Sequence, residues 1–395
     1  MDQKDLFLLS RTQSREFIER ELGRRISTGH YSPGQRLPSE RDLGNEFGVS
    51  RATIQGALSM LAESGLIVQE VNCRPVVANR PRMIEEKVRR TRNRIAVWIQ
   101  PDLQDLGAAM ILQGIRTATE SSGYPLLVGF PRTNRSQEEQ RSEVQFLKSL
   151  VDQPDVAGAI VWETCAPSFP TVYPALRDVG IPVVFVDREP PEDIEADVVT
   201  THNRRGAMKA VSHLIRLGHR DIAMICNDEP ASSVRDRIDG YRDALCAAEL
   251  GFRPELLVGF AIEASDDRPN SLIESLRSLF AASPPPTAFF CVNDGIAMRV
   301  QQTLLQFGMH APNDISVVGF DWILRTLPNG GDLTTVAQPF EAIGRIAAER
   351  LLDRITGNSA EPPRHILIEA SLIVKSTTGP PPSTPASMRI TRMSQ

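Results

Sequence analysis

The chain is short of cysteine, of long apolar runs and of positive charge, and each shortage excludes a class of function. Its five cysteines, Cys73, Cys165, Cys226, Cys246 and Cys291, stand singly with no CxxC pair in 395 residues. That spacing excludes a zinc-ribbon or disulfide framework and suits reduced thiols acting as small core residues, so neither metal nor cofactor is expected. No apolar run approaches the roughly 20 residues of a membrane span. The opening MDQKDLFLLSRTQSREF has no basic n-region, long apolar core or small-residue cleavage site, so no membrane partner is expected and a cytoplasmic location is. Net charge is −5, but through Arg94 there are 17 Lys+Arg against 12 Asp+Glu, a balance of +5, and beyond it 27 against 37, a balance of −10. A basic front on an acidic remainder points to nucleic-acid contact by the first segment alone. The length invites two to three domains.

What is present begins with YSPGQRLPSERDLGNEFGVSRATIQGALSMLAESGL, residues 31–66. Ser39 with Asp42 three residues on reads as a helix N-cap, Leu43 and Phe47 supply that helix's apolar side, and Gly48 ends it. Ser50 caps a second helix in which Ile54, Ala57, Leu58 and Leu61 recur at buried-face spacing, leaving Arg51, Thr53, Gln55 and Ser59 on other sides. Ile18, Leu22 and Ile26 give a preceding helix its own stripe. Gly65 closes the second helix, and Leu66, Ile67 and Val68 read as a first wing strand. By spacing alone, a helical bundle with a solvated charged face fits as well as a winged helix-turn-helix.

The segment RLPSERDLGNEFGVSRATIQGALSMLAESGLI closely resembles the GntR-family DNA-binding domain in its LPSER box, its VSR-x-T start and its closing L-x-x-x-G. The resemblance implies that Arg41 contacts phosphate or a base edge and that Ser50, Arg51 and Thr53 approach the major groove, with Arg51 suited to guanine. Gln55 stands where many members carry arginine and suits adenine. The glycine-rich wing tip of the family is replaced by QEVNCRP, which leaves Arg74 as its one cation.

From Arg80 to Arg94 seven cations crowd the junction, readable as a solvated linker or as phosphate contacts. Beyond it IAVWI, PLLVGF, VAGAIVW and IPVVFVD, then DIAMIC, TAFFCVND and ISVVGFD, are short β-rich runs spaced by helix-length segments, the pattern of parallel sheets covered on both faces. Ligands of such sheets bind beyond the carboxyl ends of the strands. Asp102, Glu163, Asp187, Arg188, Asn293, Asp294 and Asp321 fall there, a set of carboxylates, amide and guanidinium suited to a polyhydroxylated ligand. Trp98, Trp162, Phe260 and Trp322 are candidates to cover its C–H face. Asp294 reads equally as a helix cap, Arg188 as a partner of a nearby acid, and Trp98 and Trp162 as core.

HLIRLGHRDIAMI, SSVRDRIDGYRDAL, PPPTAFFCVNDGIA, ISVVGFD and LTTVAQPFEAIGRIAAERLL, in this order, resemble the effector domain of LacI-type repressors, which is related to periplasmic sugar-binding proteins. The resemblance implies ligand contacts from Arg237, Asn293, Asp321, Asp187 and Gln338, and a structural turn at Gly218, His219 and Arg220. The combination resembles the arrangement of arabinose-responsive repressors.

The expected fold is therefore α/β: an N-terminal winged helix-turn-helix (12–78), a basic linker (79–93) and a two-lobed periplasmic-binding-protein-like domain of doubly wound parallel sheets (94–378). Lobe 1 is expected to take about 94–199 and 338–366, lobe 2 about 200–336 and 367–378, with a disordered tail at 379–395. The expected function is a transcriptional repressor, not an enzyme, with no catalytic residue. It binds operator DNA as a homodimer through Arg41, Ser50, Arg51, Thr53, Gln55 and Arg74. It takes a monosaccharide or derivative through Asp102, Glu163, Asp187, Arg237, Phe260, Asn293, Asp321 and Gln338. The alternatives are a sugar-binding protein with no DNA role and a co-repressor-type regulator answering to another metabolite.

Overall fold

Serine caps and apolar stripes set the fold of the first of two units, Met1–Asn93 and Arg94–Gln395, into which the chain divides. The computed structural model describes residues 15, 17–26, 30–69, 73–78, 92–99, 106–130, 136–163, 172–191, 193–227, 231–260, 271–323, 331–358 and 361–383; the side chains of 136–140, 227, 260 and 271 lie outside that description. In the first unit a helix over 17–26 (α1) packs Ile18 and Leu22 against α2 (Glu40–Phe47) and α3 (Arg51–Glu63). Ser39 accepts the Asp42 N–H and Ser50 accepts the Thr53 N–H, satisfying donors that each helix start would otherwise leave bare. Gly48, at φ 64°, reverses the chain between α2 and α3. Leu43, Ile54, Leu58 and Leu61 close the core.

A two-stranded antiparallel wing follows, β1 (Ile67–Val68) on β2 (Val76–Val77), with Ile67 opposite Val77. Residues before α2 brace it: Leu37 N–H donates to Pro75 O and Val77 N–H to Gln35 O. The wing root is thereby tied to the start of the helix-turn-helix.

The second unit contains two six-stranded sheets. In lobe 1 the strands are β3 (Arg94–Trp98), β4 (Leu126–Gly129), β5 (Val156–Val161), β6 (Val183–Val186), β7 (Asp197–Thr201) and β13 (His365–Ile368), in spatial order β13-β7-β6-β5-β3-β4, all parallel. In lobe 2 they are β8 (Ile222–Asn227), β9 (Leu257–Phe260), β10 (Ala288–Cys291), β11 (Ser316–Asp321), β12 (Thr334–Ala337) and β14 (Ser371–Ile373), ordered β14-β12-β11-β10-β8-β9, with β14 alone antiparallel. The two orders correspond strand for strand. The outermost strands β4 and β9 lie at corresponding edges, and each belongs to the same pentapeptide, LLVGF, at 126–130 and 256–260.

Both faces of each sheet are covered, which is why the strands read as continuous apolar runs. On β3, Ile95 and Val97 join one lobe 1 cluster and Ala96 and Trp98 the other. The first cluster lies under α4 (Leu106–Glu120) and α11 (Phe340–Thr356), which cross closely at Gly114 and Gly344: a Cβ on Gly344 would stand 2.0 Å from Ile111 O. The remaining helices are α5 (Ser136–Val151) and α6 (Val172–Asp178) in lobe 1, and α7 (Asn203–Arg216), α8 (Ser232–Ala247), α9 (Ser271–Ala281) and α10 (Asp294–Gln306) in lobe 2. Gly240 on α8 meets Arg204 O of α7 as closely, with a Cβ distance of 2.1 Å.

The chain passes between lobes three times, after β7, after β12 and after β13. α11 is clamped to lobe 1 where Arg350 and Arg354 donate to the buried Asp197 at 2.9 and 2.7 Å. Burial opposes ionisation of Asp197, but hydrogen bonds from Arg354, the Arg364 N–H and Arg350 outweigh it and hold the carboxyl below its usual range.

Two expectations need correction here. Of the described cysteines, Cys226 and Cys291 are buried but Cys73 and Cys246 are exposed, because Cys73 lies in the wing and Cys246 on the outer face of α8. The tail leaves the fold later than residue 379. Gly379 N–H donates to Ser316 Oγ and Gly379 O faces His219 Nε2 at 2.9 Å, so the chain is still tied to lobe 2 there; residues 384–395 lie outside the described residues.

Candidate functional site

In the first unit, α2, α3 and the wing enclose a groove of about 920 Å³ lined by Arg41, Arg51, Gln55 and Arg74, with Ser39, Glu40 and Cys73. Arg51 begins α3 and its side chain is 76% exposed. The first turn of α3 carries no acid, so its positive dipole end is available to phosphate, whereas α2 begins with Glu40 and Asp42. Ser50 is spent as the cap, and its hydroxyl stands 2.8 Å from that of Thr53. Thr53 is the correction in this set. It is buried, because the third position after a cap turns back towards the capping side chain instead of outward.

Glu40 is the residue that sequence reasoning missed. Its Oε2 accepts from Arg51 Nε at 2.6 Å, and both its oxygens lie within 3.3 Å of Gln55 Nε2. One carboxylate on α2 therefore holds two polar side chains of α3. The separations, 11 and 15 residues, match no local period, so spacing carries no signal of it.

In the second unit the polar candidates collect at the carboxyl ends of the strands. Glu163 lies two residues beyond β5, as Asn293 does beyond the corresponding β10. Asp187 follows β6 and Asp321 ends the corresponding β11, and both adopt positive φ, 64° and 115°, conformations that side chains other than glycine rarely take. Gln338 follows β12 at the second passage between lobes.

Arg237 of α8 organises the lobe 2 group. It is buried, donates from Nε to Asn203 Oδ1 at 2.9 Å and from Nη1 to Val292 O at 2.7 Å, lies 3.3 Å from Asp321 Oδ1 and stacks over Phe320 at 3.8 Å. Gln338 Nε2 donates to the same Asp321 oxygen at 2.7 Å. Asn203, 34 residues from Arg237, is a further partner with no signature in the sequence. Asn293 caps α10 through its side-chain oxygen, whereas Asp294 does not cap: it is fully buried and accepts from Thr335 Oγ1 and Ile323 N–H.

On the lobe 1 side, Arg188 Nη1 donates to Glu163 O at 3.1 Å and lies over Trp162 at 5.8 Å. Trp98 is core. Trp322, at φ 62°, is 38% exposed. The lobes meet here: Glu189 N–H donates to Ser232 Oγ at 2.9 Å, and Ile323 packs on the lobe 1 cluster that Trp162 also joins. Asp102 lies outside the described residues, as does the Phe260 side chain.

His219 is structural. Its Nδ1 lies 2.8 Å from Thr287 Oγ1 and its Nε2 3.0 Å from Ser316 Oγ and 2.9 Å from Gly379 O, with no exposed surface. Burial lowers its pKa.

Comparison with known proteins bears on both units. Residues 14–72 match the gntR family of bacterial regulatory proteins, and residues 211–378 match the periplasmic binding protein-like domain. The chain is 30% identical over 302 residues to the HTH-type transcriptional regulator PtxS of Pseudomonas aeruginosa, covering 76% of this chain and 83% of that protein. The chain belongs to the HTH-type transcriptional regulators. The regulator is also 28% identical over 367 residues to the arabinose metabolism transcriptional repressor of Geobacillus stearothermophilus, covering 91% and 96% of the two chains. Among solved structures, a LacI family regulator from Enterococcus faecium with bound ribose shares 24% identity at a TM-score of 0.58, over 72% of the regulator and 98% of that chain. A LacI family regulator from Mycobacterium smegmatis shares 25% at 0.59, over 73% and 99%. The first unit thus carries a gntR-type domain, in which the groove lies, and the two lobes have the LacI fold. Among the described residues no helix is long and apolar enough to cross a membrane.

Proposed function

We propose that the regulator is a cytoplasmic repressor that holds operator DNA as a homodimer and releases it when a sugar binds between its lobes. The observation that supports this reading is that Asp187, Asn293, Asp321 and Gln338 each lie at the carboxyl end of a strand, with Arg237 and Gln338 both held to Asp321 in lobe 2. Glu163, Asp102 and Phe260 complete the proposed effector set. The repressors named above support a role in binding instead of catalysis.

Arg41, Arg51, Gln55 and Arg74 are the proposed DNA contacts, with Ser50 placing the reader. Two reader helices in a two-fold dimer call for a pseudo-palindromic operator, and sugar binding would change their separation or orientation. The apolar edges β4 and β9, half-buried and bare of charge along 126–129 and 257–258, favour pairing with a second copy.

Selection of bound duplexes from a random library, followed by fluorescence-anisotropy titration with pentoses and hexoses, tests the reading. The expected result is a pseudo-palindromic site whose affinity one sugar lowers at least tenfold. A site without two-fold symmetry, or an affinity that no sugar moves, would overturn it.

A further inference from the structure

Gly56 stands in the middle of α3, where glycine is a poor helix former, and Arg15 occupies the space its missing side chain leaves. A Cβ on Gly56 would lie 2.7 Å from Arg15 Nε, 2.8 Å from Cδ and 3.1 Å from Cζ. The glycine is therefore what lets the guanidinium lie across the helix. Arg15 is itself helical and exposed. Among the described residues it makes no ion pair or hydrogen bond, even with Glu19 one turn along, whereas Arg24, Arg25 and Arg51 each have a carboxylate.

Its place on α3 points to a partner. At about 100° per residue the buried positions of α3 fill one side, and Arg51, Gln55, Ser59, Ala52 and Gly56 follow one another across the other. Arg51 marks one margin of that face, beside the groove it lines with Arg41 and Arg74. Gly56, with Arg15 over it, marks the opposite margin. A helix in the major groove has a phosphate backbone along each flank, so the wing side brings cations to one flank and Arg15 is the cation of the other. The exposed acid on this margin, Glu63, lies two turns beyond Gly56, about 10 Å along the axis.

We propose that Arg15 is a phosphate contact of the operator complex, seated on α3 by Gly56, and that α1 thereby joins the DNA-binding surface. With α3 as the reader, on which this rests, the two margins of its exposed face meet the two backbones of one major groove. An arginine so placed adds affinity without choosing sequence, because phosphates carry no base identity. Gly56 serves the complex, not the helix.

The test is fluorescence-anisotropy titration of the full chain against the duplex recovered by the selection above, its single-base variants and a scrambled duplex of equal length, at about 50 to 200 mM salt. Arg15→Ala should weaken every duplex alike, by about fivefold or more, without lowering the melting temperature. The slope of log affinity against log salt should become shallower by about 0.9 for each arginine lost. Arg15→Lys should keep most of the affinity and of the slope. Gly56→Ala should melt no lower than the wild type, since alanine favours helix and the displaced group is the free end of an exposed side chain, yet bind as weakly as Arg15→Ala. Adding Gly56→Ala to Arg15→Ala should then cost nothing further. An equal added loss would place the fault in the new methyl group and overturn the seating. Unchanged affinity and salt slope in Arg15→Ala, or a loss confined to one base position, overturns the inference and leaves the reader standing if Arg51→Ala is weakened. If Arg51→Ala loses no affinity either, α3 is not the reader, and both readings fall.

Discussion

Arg51 and Arg237 are both arginines at the heart of a proposed binding surface, yet they are held in opposite ways. Arg51 is 76% exposed and tethered by one carboxylate, Glu40, which also holds Gln55. Arg237 is 6% exposed and fixed by Asn203, Val292 O, Asp321 and the face of Phe320. A DNA reader must reach a partner as large as itself, so its side chains stay solvated until they exchange a weak internal contact for a base. A small ligand is enclosed on all sides, so the groups that meet it have to be placed by the fold in advance.

The largest expected effect comes from breaking the buried arrangement. Arg237→Met leaves Asp321 without its cation in a site that is nearly closed to water, and should cost about 3–5 kcal/mol of folding stability. Urea denaturation measures this directly. The double variant Arg237→Met, Asp321→Asn should recover much of the loss, because the stranded charge is the main cost. If the single variant melts like the wild type, the arginine is not the organiser of lobe 2 that its contacts suggest.

The exposed arrangement should respond differently. Arg51→Ala should leave thermal stability nearly unchanged, since an exposed ion pair is worth about 0–1 kcal/mol. Operator affinity should fall by about 1–3 kcal/mol, with base preference relaxed at one position of each half-site. Anisotropy titration against the selected site and its single-base variants reads both. Equal weakening across all variants would mark Arg51 as a phosphate contact instead.

Much of this division was legible in the sequence because it is local. Ser39, Ser50, Gly48 and the stripe of Ile54, Ala57, Leu58 and Leu61 act within a turn or two of the chain, and the structure places each cap and each buried residue where that spacing implies. The parallel sheets were legible for a related reason: strands buried on both faces are apolar at every position, as β5 is. What the sequence hid was contact at a distance. Glu40 reaches Arg51 across a turn, Asn203 reaches Arg237 from another helix, and His219 is fixed by residues 68, 97 and 160 positions away. Thr53 was misplaced because helical period assigns a face but not the pull of a cap.

His219 gives the smallest and most selective way to separate the two units. Its Nε2 lies 2.9 Å from Gly379 O and its Nδ1 2.8 Å from Thr287 Oγ1, and burial lowers its pKa from the ordinary 6.5, favouring the neutral ring. His213, also on the lobe 2 side, is lowered for the same reason. Below pH 6.5 the unfolded chain takes up protons that the folded lobe refuses, so stability falls as the pH drops and is unaffected above neutrality. Each such group contributes a slope of up to about 1.4 kcal/mol per pH unit. In the first unit His30 is exposed and carries no comparable burial. Acid should therefore loosen the sensing unit before the reading unit, with amide exchange rising first around Ser316 and Thr287. His219→Gln should flatten part of the slope below pH 6.5. An acid transition that begins in α3, or a slope that the variant does not change, would mean that the buried imidazole is not what couples this fold to pH.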